Sequence, residues 1–183
     1  MNRTRFVVAV ASVFIAAALM FGGAVLAEIR SGSDAGSTFE PLLPTFDLPS
    51  VHAGGQRLAS ADFVGRPLVI NVFDYTCVPC VRELPMLDAT AQENPDIAFV
   101  GVHLLLKQRD AAAFVDRLGI RFPVAYDADG VFAPAVMALP TTIFVGADGV
   151  EVGRVTGAIA KADLADRLQR LREAFQTVPK GIS

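Results

Sequence analysis

Leu68-Val69-Ile70-Asn71-Val72-Phe73-Asp74-Tyr75-Thr76-Cys77-Val78-Pro79-Cys80 runs from an apolar, β-branched stretch into the only two cysteines of the chain. Bounded by Gly65-Arg66-Pro67, the segment Leu68 to Val72 predicts a strand buried on both faces. Past the cysteines, Val81, Leu84, Leu87 and Ala91 recur at helical spacing, so residues 78–93 are expected to form a helix, with Pro85 inside it and Pro95 just beyond. The pair therefore stands where a strand ends and a helix begins. With both thiols in one C-x-x-C, no partner is left for a structural disulfide, and the pair is either a reversible redox couple or half of a metal site.

Redox chemistry is the better fit. If Val78 begins the helix, Cys77 sits among unpaired backbone N–H groups at the positive end of the helix dipole, which stabilises a thiolate and makes Cys77 the expected nucleophile. Cys80, one turn further in, is expected to be shielded and to act as the resolving thiol. Haem attachment needs His directly after the second cysteine, where this chain has Val81. Zinc needs four ligands, and the two histidines, His52 and His103, lie far apart without paired spacing, so no metal is expected. No nucleotide or flavin motif is present, so no cofactor is expected either. Glu83, three residues after Cys80, lies close to the same helix face and suits a proton partner for that thiol. The alternative is an ordinary acid in a first helical turn. Asp74 is expected to be a surface carboxylate, Tyr75 a packed ring, and His103 a hydrogen-bonded histidine of the core or a strand end.

Working outward, Phe46 and Leu48 alternate with polar neighbours as in a short edge strand, and Ala53-Gly54-Gly55 turns the chain toward Gln56-Arg57-Leu58. A second apolar run spans 97–106, an amphipathic helix 109–118 closes at Gly119, and a short strand covers 122–125. Residues 141–145 and 150–155, joined by Gly146-Ala147-Asp148-Gly149, predict an antiparallel hairpin. A last helix places Leu164, Leu168, Leu171 and Phe175 on one face. The order β-α-β-α-β followed by a hairpin and a helix predicts an α/β domain with a mixed central sheet and helices on both faces.

The chain has 183 residues, 19.4 kDa, 52% hydrophobic residues and a net charge of −3, enough for one membrane segment and one domain. Removing Arg3 and Arg5 from the 16 basic residues leaves 14 against 19 acidic from Glu28 onward, or −5, with both signs interspersed, which excludes a nucleic-acid binder. Residues 6–27 carry no charge over 22 positions behind those two arginines, long enough to cross a hydrocarbon core of roughly 30 Å. Residues 1–27 are thus expected to be a single transmembrane helix with its tail in the cytoplasm. Val25-Leu26-Ala27 keeps a cleaved signal sequence as the alternative. Residues 28–44 suit a linker, and 45–183 the domain, exported either way.

Asn71-Val72-Phe73, the C-x-x-C, Glu83, Pro85 and Leu139-Pro140-Thr141-Thr142 ahead of a hairpin together resemble a thioredoxin-fold protein, from about Pro44 to about Phe175. More narrowly the chain resembles the membrane-anchored TlpA-like thiol–disulfide oxidoreductases, which include reductases of cytochrome c maturation. The resemblance implies a redox-active disulfide between Cys77 and Cys80, a cis-proline at Pro140 facing the pair, and Leu139 offering its backbone to an extended substrate segment. Thioredoxins place a buried carboxylate where this chain has Asn71, which leaves Glu83 as the candidate acid. The family's Trp before the first cysteine is Thr76 here, and its frequent basic residue after the second is Val81. The implied activity is exchange, in the reducing direction, with protein disulfides. Apocytochrome c and copper-site assembly proteins are the expected clients, and an upstream membrane thiol reductant the electron donor. The implied place is the periplasmic side of a bacterial inner membrane. A copper-binding assembly module on the same fold is the alternative, although such modules use C-x-x-x-C with a distant His. A peroxidase-type use would need Thr and Arg partners at a spacing that Thr76 does not meet.

Overall fold

A computed structural model describes residues 43–51, 56–104 and 108–176. The expected transmembrane helix and most of the linker, together with His52, lie outside the described residues, as does the side chain of Phe175. Strands β1 (Asp47–Pro49) and β2 (Arg57–Ala59) form a small antiparallel ribbon. The main sheet is built from β3 (Leu68–Phe73), β4 (Ala98–Leu104), β5 (Val124–Asp127), β6 (Thr141–Val145) and β7 (Glu151–Thr156), in the spatial order β5-β4-β3-β6-β7. The pairs β3–β4 and β4–β5 are parallel, whereas β3–β6 and β6–β7 are antiparallel. Helix α1 (Val78–Glu93) links β3 to β4, α2 (Gln108–Leu118) links β4 to β5, and α3 (Lys161–Gln176) follows the hairpin. This is a thioredoxin-like α/β fold with a mixed sheet.

The fully buried strand β3 divides its side chains between two cores. Val69 and Phe73 face Leu84 and Leu87 of α1, Phe114 and Val115 of α2, and Leu164, Leu168 and Leu171 of α3. Leu68, Ile70 and Val72 face the other way, against Phe46, Leu48 and Phe132. The three α-helices among the described residues thus serve one face. The cause is topological: β3, β4 and β5 progress in one direction across the sheet, and two right-handed crossovers in the same direction put both helices on the same side. On the second face the expected helices are two short 3-10 turns, Ser60–Phe63 and Ala133–Ala135, together with the β1 segment. Asp127 holds the second of these in place, its carboxylate accepting the N–H groups of Val131 and Phe132 at 2.8 and 2.9 Å.

Strand β5 begins two residues later than the sequence suggests because Pro123 has no N–H to give to a ladder. Its carbonyl instead accepts from Gly101 at 2.9 Å. At Gly101 the sheet leaves little room for a side chain, since a Cβ there would lie 3.0 Å from the ring of Phe73 and 3.1 Å from Phe122 and Val124. That close approach seats Phe73, the last residue of β3, directly before the cysteine loop.

Candidate active site

Helix α1 starts at Val78 because Cys77 caps it. The Cys77 backbone is extended, its Sγ accepts the N–H of Cys80 at 3.3 Å, and Pro79 falls in the first turn, where a missing N–H costs nothing. Cys77 and Cys80 form a disulfide with an S–S distance of 2.02 Å. Cys77 is half-buried, whereas Cys80 is fully buried among Leu84 and Leu87. The preceding loop is closed by Asp74, whose Oδ1 accepts the Thr76 N–H at 2.8 Å and the Thr76 hydroxyl, and whose carbonyl accepts the Cys77 N–H at 3.2 Å. Asp74 therefore shapes the turn, while Tyr75, Thr76, Val78 and Pro79 are exposed around it. One cysteine is partly exposed and the other fully buried, which suits sequential attack by two thiols of different access.

Pro140 follows a cis peptide bond. Its position comes from strand register: Val72 pairs with Thr141 in the antiparallel β3–β6 ladder, so the next step sets Pro140 opposite Phe73, at the end of β3 from which the cysteine loop departs. The Pro140 carbonyl accepts the Gly157 N–H at 2.8 Å, and the Thr141 hydroxyl donates to the Ala138 carbonyl at 2.7 Å. The backbone N–H and C=O of Leu139 make no hydrogen bond among the described residues.

Glu83 is not an exposed acid of a first turn. It is 5% exposed, with Oε1 accepting from Asn71 Nδ2 at 2.8 Å and Oε2 from the Ile159 N–H at 3.0 Å. Asn71 Nδ2 also donates to Thr142 Oγ1 at 3.0 Å. Burial pushes the Glu83 carboxyl above its usual range, against the lowering pull of Ile159 and Asn71. Sequence reasoning singled out Glu83 but gave Thr142 and the Ile159 N–H no role, and saw in Asn71 only the lack of a carboxylate. The available signal was Asn71 itself, one polar residue in an otherwise apolar strand buried on both faces.

His103 sits opposite Phe73 on β4 and is fully buried. Neither ring nitrogen makes a hydrogen bond of ordinary geometry, although backbone groups of His103 and Leu104 act on the ring. The ring instead meets Phe73 edge-on at 5.0 Å, Phe114 at 6.1 Å and a stacked, half-exposed Tyr75 at 6.3 Å. Burial lowers its pKa, against the raising effects of Asp74 and of the backbone at Leu104 and His103. Among the described residues no three His, Cys, Asp or Glu side chains gather in a way that could hold a metal ion, and no helix is long and apolar enough to cross a membrane.

The family model described as Redoxin matches residues 35–168. The chain is 30% identical to the thiol:disulfide interchange protein DsbE of Pseudomonas fluorescens biotype C, over 96% of this chain and 97% of that one. It is 26% identical to the thiol-disulfide oxidoreductase ResA of Bacillus subtilis, over 79% of this chain and 78% of that one. Among solved structures it superposes on a secreted Mycobacterium tuberculosis disulfide oxidoreductase homologous to E. coli DsbE with a TM-score of 0.62 and 27% identity, covering 69% of this chain and 96% of that one.

Proposed function

The chain belongs to the Redoxin family and is a thiol–disulfide oxidoreductase of the ResA and DsbE type, and from that premise we propose that it is an exported enzyme that reduces protein disulfides through Cys77 and Cys80. The observation that carries this reading is the unequal exposure of the two cysteines at one helix N-terminus. In the reduced enzyme, the Cys77 thiolate attacks a substrate disulfide, forming a mixed disulfide and releasing the first substrate sulfur as a thiolate. Cys80 then loses its proton to Glu83, and its thiolate attacks Cys77 Sγ. The Cys77–Cys80 disulfide forms and the second substrate sulfur leaves as a thiolate, so the substrate is reduced by two electrons and the enzyme oxidised by two.

Leu139 and Pro140 take the substrate in this scheme, an extended segment pairing with the unused backbone groups of Leu139 as an added strand would. Residues 1–27 hold the enzyme in a bacterial inner membrane, residues 28–44 set it off the surface, and residues 45–183 act on the periplasmic side. Its clients are apocytochrome c thiols or the thiols of copper-site assembly proteins, and a membrane thiol carrier re-reduces it. The test is a Cys80→Ala variant in the native compartment. A mixed disulfide at Cys77 is then expected to accumulate, and its attached protein names the client. Failure to trap any protein at Cys77 would remove the exchange mechanism.

A further inference from the structure

The two oxygens of Glu83 are not equivalent. Oε2 receives a main-chain N–H, that of Ile159 at 3.0 Å, and a main-chain donor cannot become an acceptor. A proton that arrives at Glu83 therefore keeps this bond at full strength by resting on Oε1, which leaves Oε2 the carbonyl oxygen and the better acceptor. Oε1 faces Asn71 Nδ2 at 2.8 Å, an arrangement that serves a carboxylate and would set donor against donor in a carboxylic acid. The same Nδ2 reaches Thr142 Oγ1 at 3.0 Å, while Asn71 Oδ1 is buried without any donor. If the amide turns over, Oδ1 comes to lie where Nδ2 was. It can then accept from protonated Oε1 and from the Thr142 hydroxyl, which is free to donate as well as accept. One amide atom lacks a partner in either orientation, so the turn loses no hydrogen bond.

We propose that Asn71 is a positioning residue for Glu83, its amide reversing with the proton so that Nδ2 binds the carboxylate and Oδ1 binds the acid, with Thr142 reversing in step. This rests on the reading of Glu83 as proton partner of Cys80. The groups that hydrogen-bond the carboxyl are Asn71 from β3 and the Ile159 N–H ahead of α3, with Thr142 of β6 behind Asn71 and Cys80 three residues back on the same helix; no charged side chain contributes to its shift. Glu83 is hydrogen-bonded in both states, so the proton taken from Cys80 enters a prepared site and leaves a prepared site behind. Asn71→Leu removes a charge-assisted bond from one state and a neutral bond from the other. The charged bond is about twice as strong, so the Glu83 midpoint should rise by about half to one pH unit.

The test follows the side-chain amide of Asn71 by ¹⁵N NMR in the oxidised, full-length, solubilised protein, whose three asparagines are Asn2, Asn71 and Asn94. The Asn71 amide signals should move with pH and share a midpoint with the ¹³C-labelled carboxyl of Glu83. In Glu83→Gln, the Gln carbonyl stays on Ile159 and its amide faces Asn71, so the Asn71 signals should sit at their acid position at every pH. Asn71 signals that stay still while Glu83 titrates, or that take the alkaline position in Glu83→Gln, would overturn the proposal. The wild-type titration needs no altered core residue, so a poorly folding Asn71→Leu leaves the test intact. Exchange rates of Glu83→Gln judge the underlying reading separately: unchanged rates would remove the role of Glu83 as proton partner and leave the amide reversal standing.

Discussion

His103→Leu should make the protein more stable, although it removes a buried aromatic ring. Both ring nitrogens of His103 are fully buried and unpartnered, and an unsatisfied buried polar group costs about 1–3 kcal/mol. Losing the ring contacts with Phe73 and Phe114 returns about 0.5–1.5 kcal/mol. The expected net gain at pH 7 is about 1 kcal/mol. The pH dependence sharpens the test. Burial lowers the folded pKa of His103 below 6.5, so between those values the unfolded chain holds a proton that the folded one does not. Wild-type stability should therefore fall as pH drops through 6.5, with a limiting slope of about 1.4 kcal/mol per pH unit from this residue, until the folded pKa is reached. His103→Leu lacks that loss, so its advantage should widen on acidification. Urea unfolding of the oxidised protein at a series of pH values from 7.5 to about 5 measures the difference directly, and other titrating groups cancel in it. A variant less stable than wild type at pH 7, or two parallel pH profiles, would show that the imidazole has a partner after all.

Glu83→Gln should slow disulfide reduction and remove the limb of the pH–rate profile that belongs to Glu83; rates measured against a trapped client or a model protein disulfide report it. In stability the same variant has the opposite sign to His103. The folded pKa of Glu83 is raised above 4.5, so wild type gains stability as pH falls from that folded value toward 4.5, and Glu83→Gln should lose this gain in the same unfolding series. Gly101→Ala should cost about 1–3 kcal/mol, read as a lower urea midpoint, because its methyl would press on the Phe73 ring at 3.0 Å and the two neighbours at 3.1 Å.

The cysteine spacing and the start of α1 were legible because both depend on local chemistry: Cys77 as cap, Pro79 in the first turn, and apolar residues at helical period. The hairpin of β6 and β7 was legible for the same reason, in its glycine-bearing turn. The face on which each helix packs was not. Periodicity shows that α2 has an apolar side, but which layer it joins depends on β4 and β5 following β3 in one direction, a long-range fact. The environment of Glu83 was hidden similarly. Its spacing from Cys80 placed it on the right turn of α1, yet its burial comes from Asn71 on β3, Thr142 on β6 and Ile159 before α3, distant in sequence. His103 shows the limit of a statistical expectation, since most buried histidines find a partner and this one stacks among rings instead.

The buried polar atoms left without partners fall on neighbouring strands, yet they do not have one explanation. Among the described residues, the buried side-chain atoms lacking a hydrogen bond are Asn71 Oδ1 and the two nitrogens of His103, and they lie on the adjacent strands β3 and β4. A core optimised for stability alone would replace both residues with apolar ones, as it does along the rest of these strands. At Asn71 the unpaired oxygen is the condition for reversal: an amide with every atom satisfied could not turn over without breaking a bond to the surrounding protein. The cost falls in the folded state at all times, whereas the benefit appears only when Glu83 changes its proton. His103 shows no such paired arrangement: its ring packs among Phe73, Phe114 and Tyr75, and no side-chain partner stands ready to reverse with its proton. The same defect in the ledger of buried polar groups thus has a function at one site and is expendable at the other, which is why substitution of His103 should stabilise without altering the Glu83 titration, and substitution of Asn71 should alter it.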